Sequence, residues 1–273
     1  MCCASTSRSM PRAERTSLKD HYPMRIHHIL CGAFLLGTAA PAHAFEFEDA
    51  GMTIGITPTI SSDYLFRGVS QTRDRPAVQG SIDIQHTTGF YVGAFISNVA
   101  FLGTNARQEV DAMAGWRTTI AGVSIDLGGI AYTYPGYSNP AGSGLYDLQY
   151  FELAVKASYE VSSAPMPIKV LAAFNYSPNY QLETGNSFYV EGGLEIGLPH
   201  DLTLAGRAGY QWIQNNTRWG APDFANWNVT LSYKFSDFVF TAGYYDTNLS
   251  RSGCFGAQKI CDARAMISLS RTF

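Results

Sequence analysis

At 273 residues the chain is long enough for one or two soluble domains, yet 15% of it is charged and 13% aromatic, where soluble domains average about 25% charged. Low charge without long apolar stretches implies contact with lipid through alternating residues rather than through spanning helices. Once the leader described next is set aside, 14 Lys and Arg stand against 20 Asp and Glu, a net charge of −6. That balance argues against a nucleic-acid partner, which wants a basic face.

The longest apolar run, Ile29 to Ala42, follows Arg25, is interrupted by Gly32, Gly37 and Pro41, and ends in Ala42-His43-Ala44. It falls short of the ~20 apolar residues a spanning helix needs. It predicts a secretory signal peptide over 24–44, cleaved after Ala44, with residues 1–23 an upstream mis-start or an extended n-region. Cys2, Cys3 and Cys31 leave with it, and Ile29-Leu30 before Cys31 lacks the small residue that a lipid-anchor site requires.

From Phe45 onward twelve alternating segments are predicted, near 52–69, 76–86, 90–99, 108–118, 123–134, 147–160, 167–177, 187–198, 202–213, 225–235, 238–248 and 263–273. In the first, Met52, Ile54, Ile56, Ile60, Tyr64 and Phe66 share one parity, while Thr53, Thr57, Thr59, Ser61, Asp63 and Arg67 share the other. Side chains alternate across a strand, so one face is apolar and the other wet. The second, eighth and tenth segments repeat the dyad; the third has two apolar faces and leaves its register open. Connections after even-numbered segments are short and most of those after odd ones are longer, as in outer-membrane barrels. An even count puts both ends on the short-turn side, and no sheet edge can stay unpaired in lipid, so the last strand must close on the first. The fold expected is all-β, a closed antiparallel up-and-down transmembrane barrel. Tyr64, Phe66, Trp116, Tyr210, Trp212, Trp227 and Phe238 fall near predicted strand ends and read as an interfacial girdle.

The first segment also carries a resemblance. Asp63-Tyr64, Phe66-Arg67-Gly68, Ser70-Gln71-Thr72, Pro76-Ala77-Val78-Gln79-Gly80, Gly89-Phe90-Tyr91-Val92-Gly93 and Ser97-Asn98-Val99 resemble the signature of the TorF-type porins, a family also known as Gcw_chp. Tyr132-Thr133-Tyr134-Pro135-Gly136 and the closing Ser268-Leu269-Ser270-Arg271-Thr272-Phe273 are similar to it too. The resemblance implies an outer-membrane barrel of a Gram-negative bacterium and a channel passing small hydrophilic solutes.

The wet parity places Asp63, Arg67, Asp83, Glu109, Asp111, Arg117, Asp126, Glu152, Lys156, Glu191, Glu195, Arg207, Lys234 and Arg264 on the lumen side. Unpaired buried charges are costly, so these either pair or touch water. Two readings stay open: a polar pore that screens solutes, and an ion-paired plug that shuts a small barrel, twelve strands lying between filled and conducting sizes. Asp63 and Arg67, four residues apart, would stand about 13 Å apart on a strand, so Arg67 is expected to meet Asp83 or the closing strand. Cys254 and Cys261 share one loop and predict a disulfide rather than a metal site; it would stiffen the loop or gate the mouth. Phe273 ends an alternating strand and resembles the signal read by the barrel assembly machinery. Outer-membrane lipid and lipopolysaccharide are the other expected partners. His86 and His200 alone remain after the leader, both at short turns, and no hydrolase, zinc or nucleotide motif occurs, so neither catalysis nor a cofactor or metal is expected. The rival readings are a closed structural or surface-binding barrel and a soluble periplasmic sandwich.

Overall fold

The computed structural model describes residues 44–139, 144, 146–161, 164 and 166–273; all of the expected leader before Ala44 lies outside them. Alternation over ten or so residues gives twelve long strands, β1 Met52–Ser61, β2 Ala77–His86, β3 Phe90–Asn98, β4 Gln108–Ile120, β5 Val123–Thr133 and β6 Tyr150–Val161, then β7 Ile168–Ser177, β8 Ser187–Leu198, β9 Leu202–Ile213, β10 Phe224–Phe235, β11 Phe238–Thr247 and β12 Arg264–Arg271. Each pairs antiparallel with its sequence neighbour, and β12 returns to β1 through Ser268 opposite Ser61 and Ser270 opposite Thr59. The result is a closed twelve-stranded antiparallel barrel. The seam runs on to the chain end, where Ile56 and Phe273 exchange both backbone bonds (3.0 and 2.9 Å). A short strand at Phe45–Phe47 then pairs with that edge against Met52 to Ile54.

The outward parity is apolar from strand to strand. Val78 is 70% exposed, Phe235 67% and Phe90 64%, and Ile60, Leu153, Val229 and Ile267 all exceed half. A soluble protein does not display so many contiguous large apolar groups, whereas lipid covers them without cost. Trp212, Trp227 and Phe238 belong to this outer surface. The open register of β3 is settled as well: Phe90, Val92 and Ile96 face out, while Tyr91, Phe95 and Ser97 face in. Its inner face reads as apolar because it packs against interior aromatics, Phe95 lying 5.7 Å from the Tyr64 ring.

The first strand departs from the expectation. It stops at Ser61, and 62–76 leave the wall; 63–72 fold into the lumen as a small hairpin with Leu65 opposite Ser70 and Phe66 opposite Val69, and 73–76 are exposed. Asp63 causes the turn inward. Its Oδ1 accepts the Tyr64 amide (2.8 Å), the Ser70 hydroxyl (2.7 Å) and the Thr72 hydroxyl (2.6 Å), local bonds that outcompete a ladder. At the tip Arg67 (φ 50°) and Gly68 (φ 80°) are both left-handed, which is the two-residue turn that a tight hairpin requires. Tyr64 is therefore 3% exposed and buried among interior groups, and Phe66 packs on Tyr132 at 5.8 Å; neither joins the lipid-facing girdle.

Candidate functional site

The interior is built from the inward parity of all twelve strands plus the hairpin. Asp83, Glu109, Asp111, Asp126, Glu152, Glu195 and Arg207 are buried inside the barrel, and the Arg117, Glu191 and Arg264 side chains retain 11% exposure or less. Lys156 and Lys234 are half-buried on the same parity. The sequence-based set is thus gathered on one side of the wall. Lys169, on β7, shares that parity and is 6% exposed; it was missed because Leu171 and Ala173 on the same parity blur the wet face of that strand.

Towards the short-turn end, charges pair along their own walls. Arg117 on β4 grips Asp83 of β2 with two 3.0 Å bonds, donates from Nε to Asp126 of β5 at 3.3 Å, and lies 3.7 Å over the Tyr91 ring. Arg207 on β9 meets Glu195 (2.5 Å) and Glu191 (3.6 Å) of neighbouring β8.

At the opposite end the arrangement changes. The hairpin leaves β1 and reaches to the far wall, where Arg67 Nη2 meets Glu152 Oε2 of β6 at 2.7 Å and Nη1 donates to Gln211 Oε1 of β9 at 2.5 Å. Its guanidinium also lies 4.1 Å over the Tyr189 ring of β8. Arg67 does not reach Asp83 or the closing strand; because Asp63 bends the backbone off the wall, the side chain starts from within the lumen and finds the opposite side first. Glu152 Oε2 accepts two further bonds, from Asn175 Nδ2 (3.0 Å) and Tyr132 Oη (3.4 Å), and the residue is 1% exposed. The hairpin base is fixed by Tyr64 Oη donating to Glu109 (2.5 Å) and by Arg264 of β12, which pairs with Asp63 at 3.0 Å and with Asp74. Sequence reasoning missed Gln211, Asn175 and Tyr189; their inward parity was visible, but nothing in one dimension brings 67, 152 and 211 together.

The loops of the same end pack over the hairpin. Cys254 and Cys261 are bonded to each other and fully buried, and the Ile260 carbonyl of that loop accepts the Ser70 amide at 2.8 Å. Replacing both cysteines with serine is expected to lower stability by about 2 kcal/mol, read as an earlier loss of the compact band on heated gels. Among the described residues no three His, Cys, Asp or Glu side chains converge as a metal site would need.

A closed barrel with an apolar exterior and a charge-paired interior is an integral membrane β-barrel of porin build. Two solved structures share the fold: the KdgM porin, with 12% identity over 80% of this chain and 99% of that one at a TM-score of 0.51, and the NanC porin, with 11% identity over 80% and 98% at 0.52. At this identity the likeness speaks to architecture alone. The chain belongs to the Gcw_chp family, described as bacterial proteins of unknown function, whose pattern matches residues 46–273. No curated protein matches it.

Proposed function

We propose that this protein is an outer-membrane channel for passive diffusion of small hydrophilic solutes whose resting lumen is held shut by the 63–72 hairpin. The observation that carries the reading is a difference between the two ends. Arg117 and Arg207 pair along their own walls, while Arg67 reaches across the interior to Glu152 and Gln211. Withdrawal of one hairpin would leave a passage lined by mixed charges, the property by which a pore screens solutes. The TorF-type porin resemblance and the shared porin architecture favour the same reading. Insertion into the outer membrane of a Gram-negative bacterium would follow export, with the assembly machinery engaging the strand that ends on Phe273 and lipid and lipopolysaccharide covering the apolar exterior.

The alternative, a closed structural or surface-binding barrel, is favoured by the burial of Arg67 (4%) and Glu152 (1%). Planar-bilayer recording of purified protein separates the two. The channel reading expects brief, infrequent steps from the native chain and sustained ones once the hairpin is released. Silence from both, with folding confirmed by heat-modifiable migration, leaves the closed barrel.

A further inference from the structure

Between the hairpin and the outer loops lies a chamber of about 330 Å³. Its walls include Tyr134, Tyr150, Tyr180, Trp219, Phe224 and Phe255. Five of these rings are connected: Tyr180 meets Tyr150 edge-on at 4.7 Å and Trp219 at 6.1 Å, and Trp219 stacks on Phe224 at 5.7 Å and meets Phe255 edge-on at 4.7 Å. We propose that this chamber is a binding site for a small uncharged aromatic compound of one or two rings.

Charge decides the first part of that assignment. The charged residues on the lining are Arg67 and Glu109, and both are engaged, Arg67 by Glu152 and Gln211 and Glu109 by the Tyr64 hydroxyl. An ionic ligand would have to break one of these bonds to gain its own, so a neutral molecule is preferred. The walls decide the second part. A saccharide needs several converging polar groups, and here the Gln181 amide is occupied in holding the box, spanning the Tyr134 hydroxyl and the Trp219 indole N–H, both at 3.3 Å. Rings aligned edge-on and offset accept another ring by the same geometry. Gln258, anchored through Nε2 on the Phe255 carbonyl at 2.8 Å, sets one amide on the wall where a ligand hydroxyl or ring N–H can meet it. The volume falls within the ~300–1,000 Å³ of small-molecule pockets and exceeds the ~150 Å³ that suffices for benzene in a dry apolar cavity.

The assignment holds whether or not the barrel conducts, so its test is binding. The full barrel in micelles would be titrated calorimetrically with 2-naphthol as the probe, with maltose and benzoate as comparison ligands. Two variants accompany it, Ala100→Phe, which fills the chamber from its lining, and Phe255→Ala, which removes a wall; folding is checked by heat-modifiable migration. The expected result is saturable one-to-one binding of 2-naphthol, at least about tenfold weaker in each folded variant, with maltose and benzoate giving no saturable heat. Equal uptake by native protein and variants would mean partition into detergent and would overturn the site. Binding of maltose or benzoate in preference to 2-naphthol would overturn the ligand class. Should Ala100→Phe not fold, Phe255→Ala still reads the outcome.

Discussion

Replacing Arg67 with alanine is expected to convert brief, infrequent channel openings into sustained ones, and to lower stability by about 3–5 kcal/mol because it strands the Glu152 carboxylate. Glu152 is 1% exposed and keeps only the neutral donors Asn175 and Tyr132 once the guanidinium is gone. The two effects separate in the double variant Arg67→Ala with Glu152→Gln. That variant removes the orphaned charge, so the barrel should regain much of its heat resistance while the hairpin stays unpinned and the openings persist. Arg67→Lys should resemble the alanine change more than the native chain, since a point-charge ammonium cannot hold Glu152 and Gln211 together while lying over Tyr189. Gly68→Ala attacks the same hairpin through its backbone. At φ 80° a side chain is strained, and the added Cβ would stand 2.7 Å from Thr247 Cγ2. If all these variants fold and remain electrically silent, the hairpin is not what closes the lumen.

How far the sequence led depends on how local the determining contacts are. The twelve strands were legible because lipid outside and polar groups inside impose one parity over ten residues, as Trp227, Val229 and Leu231 against Asn228 and Ser232 show on β10. The same parity misled between 62 and 69. Asp63 and Arg67 continue the wet side and Tyr64 and Phe66 the apolar side, so the alternation alone does not mark where the strand leaves the membrane. What ended it was present but of another kind: an aspartate with serine and threonine seven and nine residues on, and an Arg-Gly pair between two apolar residues, where hairpin turns usually carry Asn-Gly or Asp-Gly. The partners of Arg67 could not be read at all. Glu152 and Gln211 lie 85 and 144 residues away, and closure of the barrel, rather than any local preference, decides which walls face each other.

The second large effect is expected at Arg117. Its removal takes the guanidinium from two buried carboxylates at once, Asp83 at 8% exposure and Asp126 at 5%, and the cation from the face of Tyr91, whose hydroxyl donates to Asp126 at 2.8 Å. Like charges left facing each other in a narrow interior add repulsion to the cost of an unpaired buried charge, itself about 3–5 kcal/mol. Arg117→Ala should therefore be the most damaging single change in the lumen, read as the lowest temperature at which the compact band is lost. Asp83→Asn and Asp126→Asn each leave the arginine one carboxylate and should cost less. Combining all three replacements should recover stability, because the two carboxylates that faced the guanidinium are then neutral. Electrically, Arg117→Ala should stay as quiet as the native chain, since this cluster lines the wall below a hairpin that remains docked on Glu152. Added to Arg67→Ala it should instead shift the released channel toward cations, two carboxylates without their guanidinium now lining the passage. Sustained openings from Arg117→Ala alone would place the barrier at this end and overturn the assignment of closure to the hairpin.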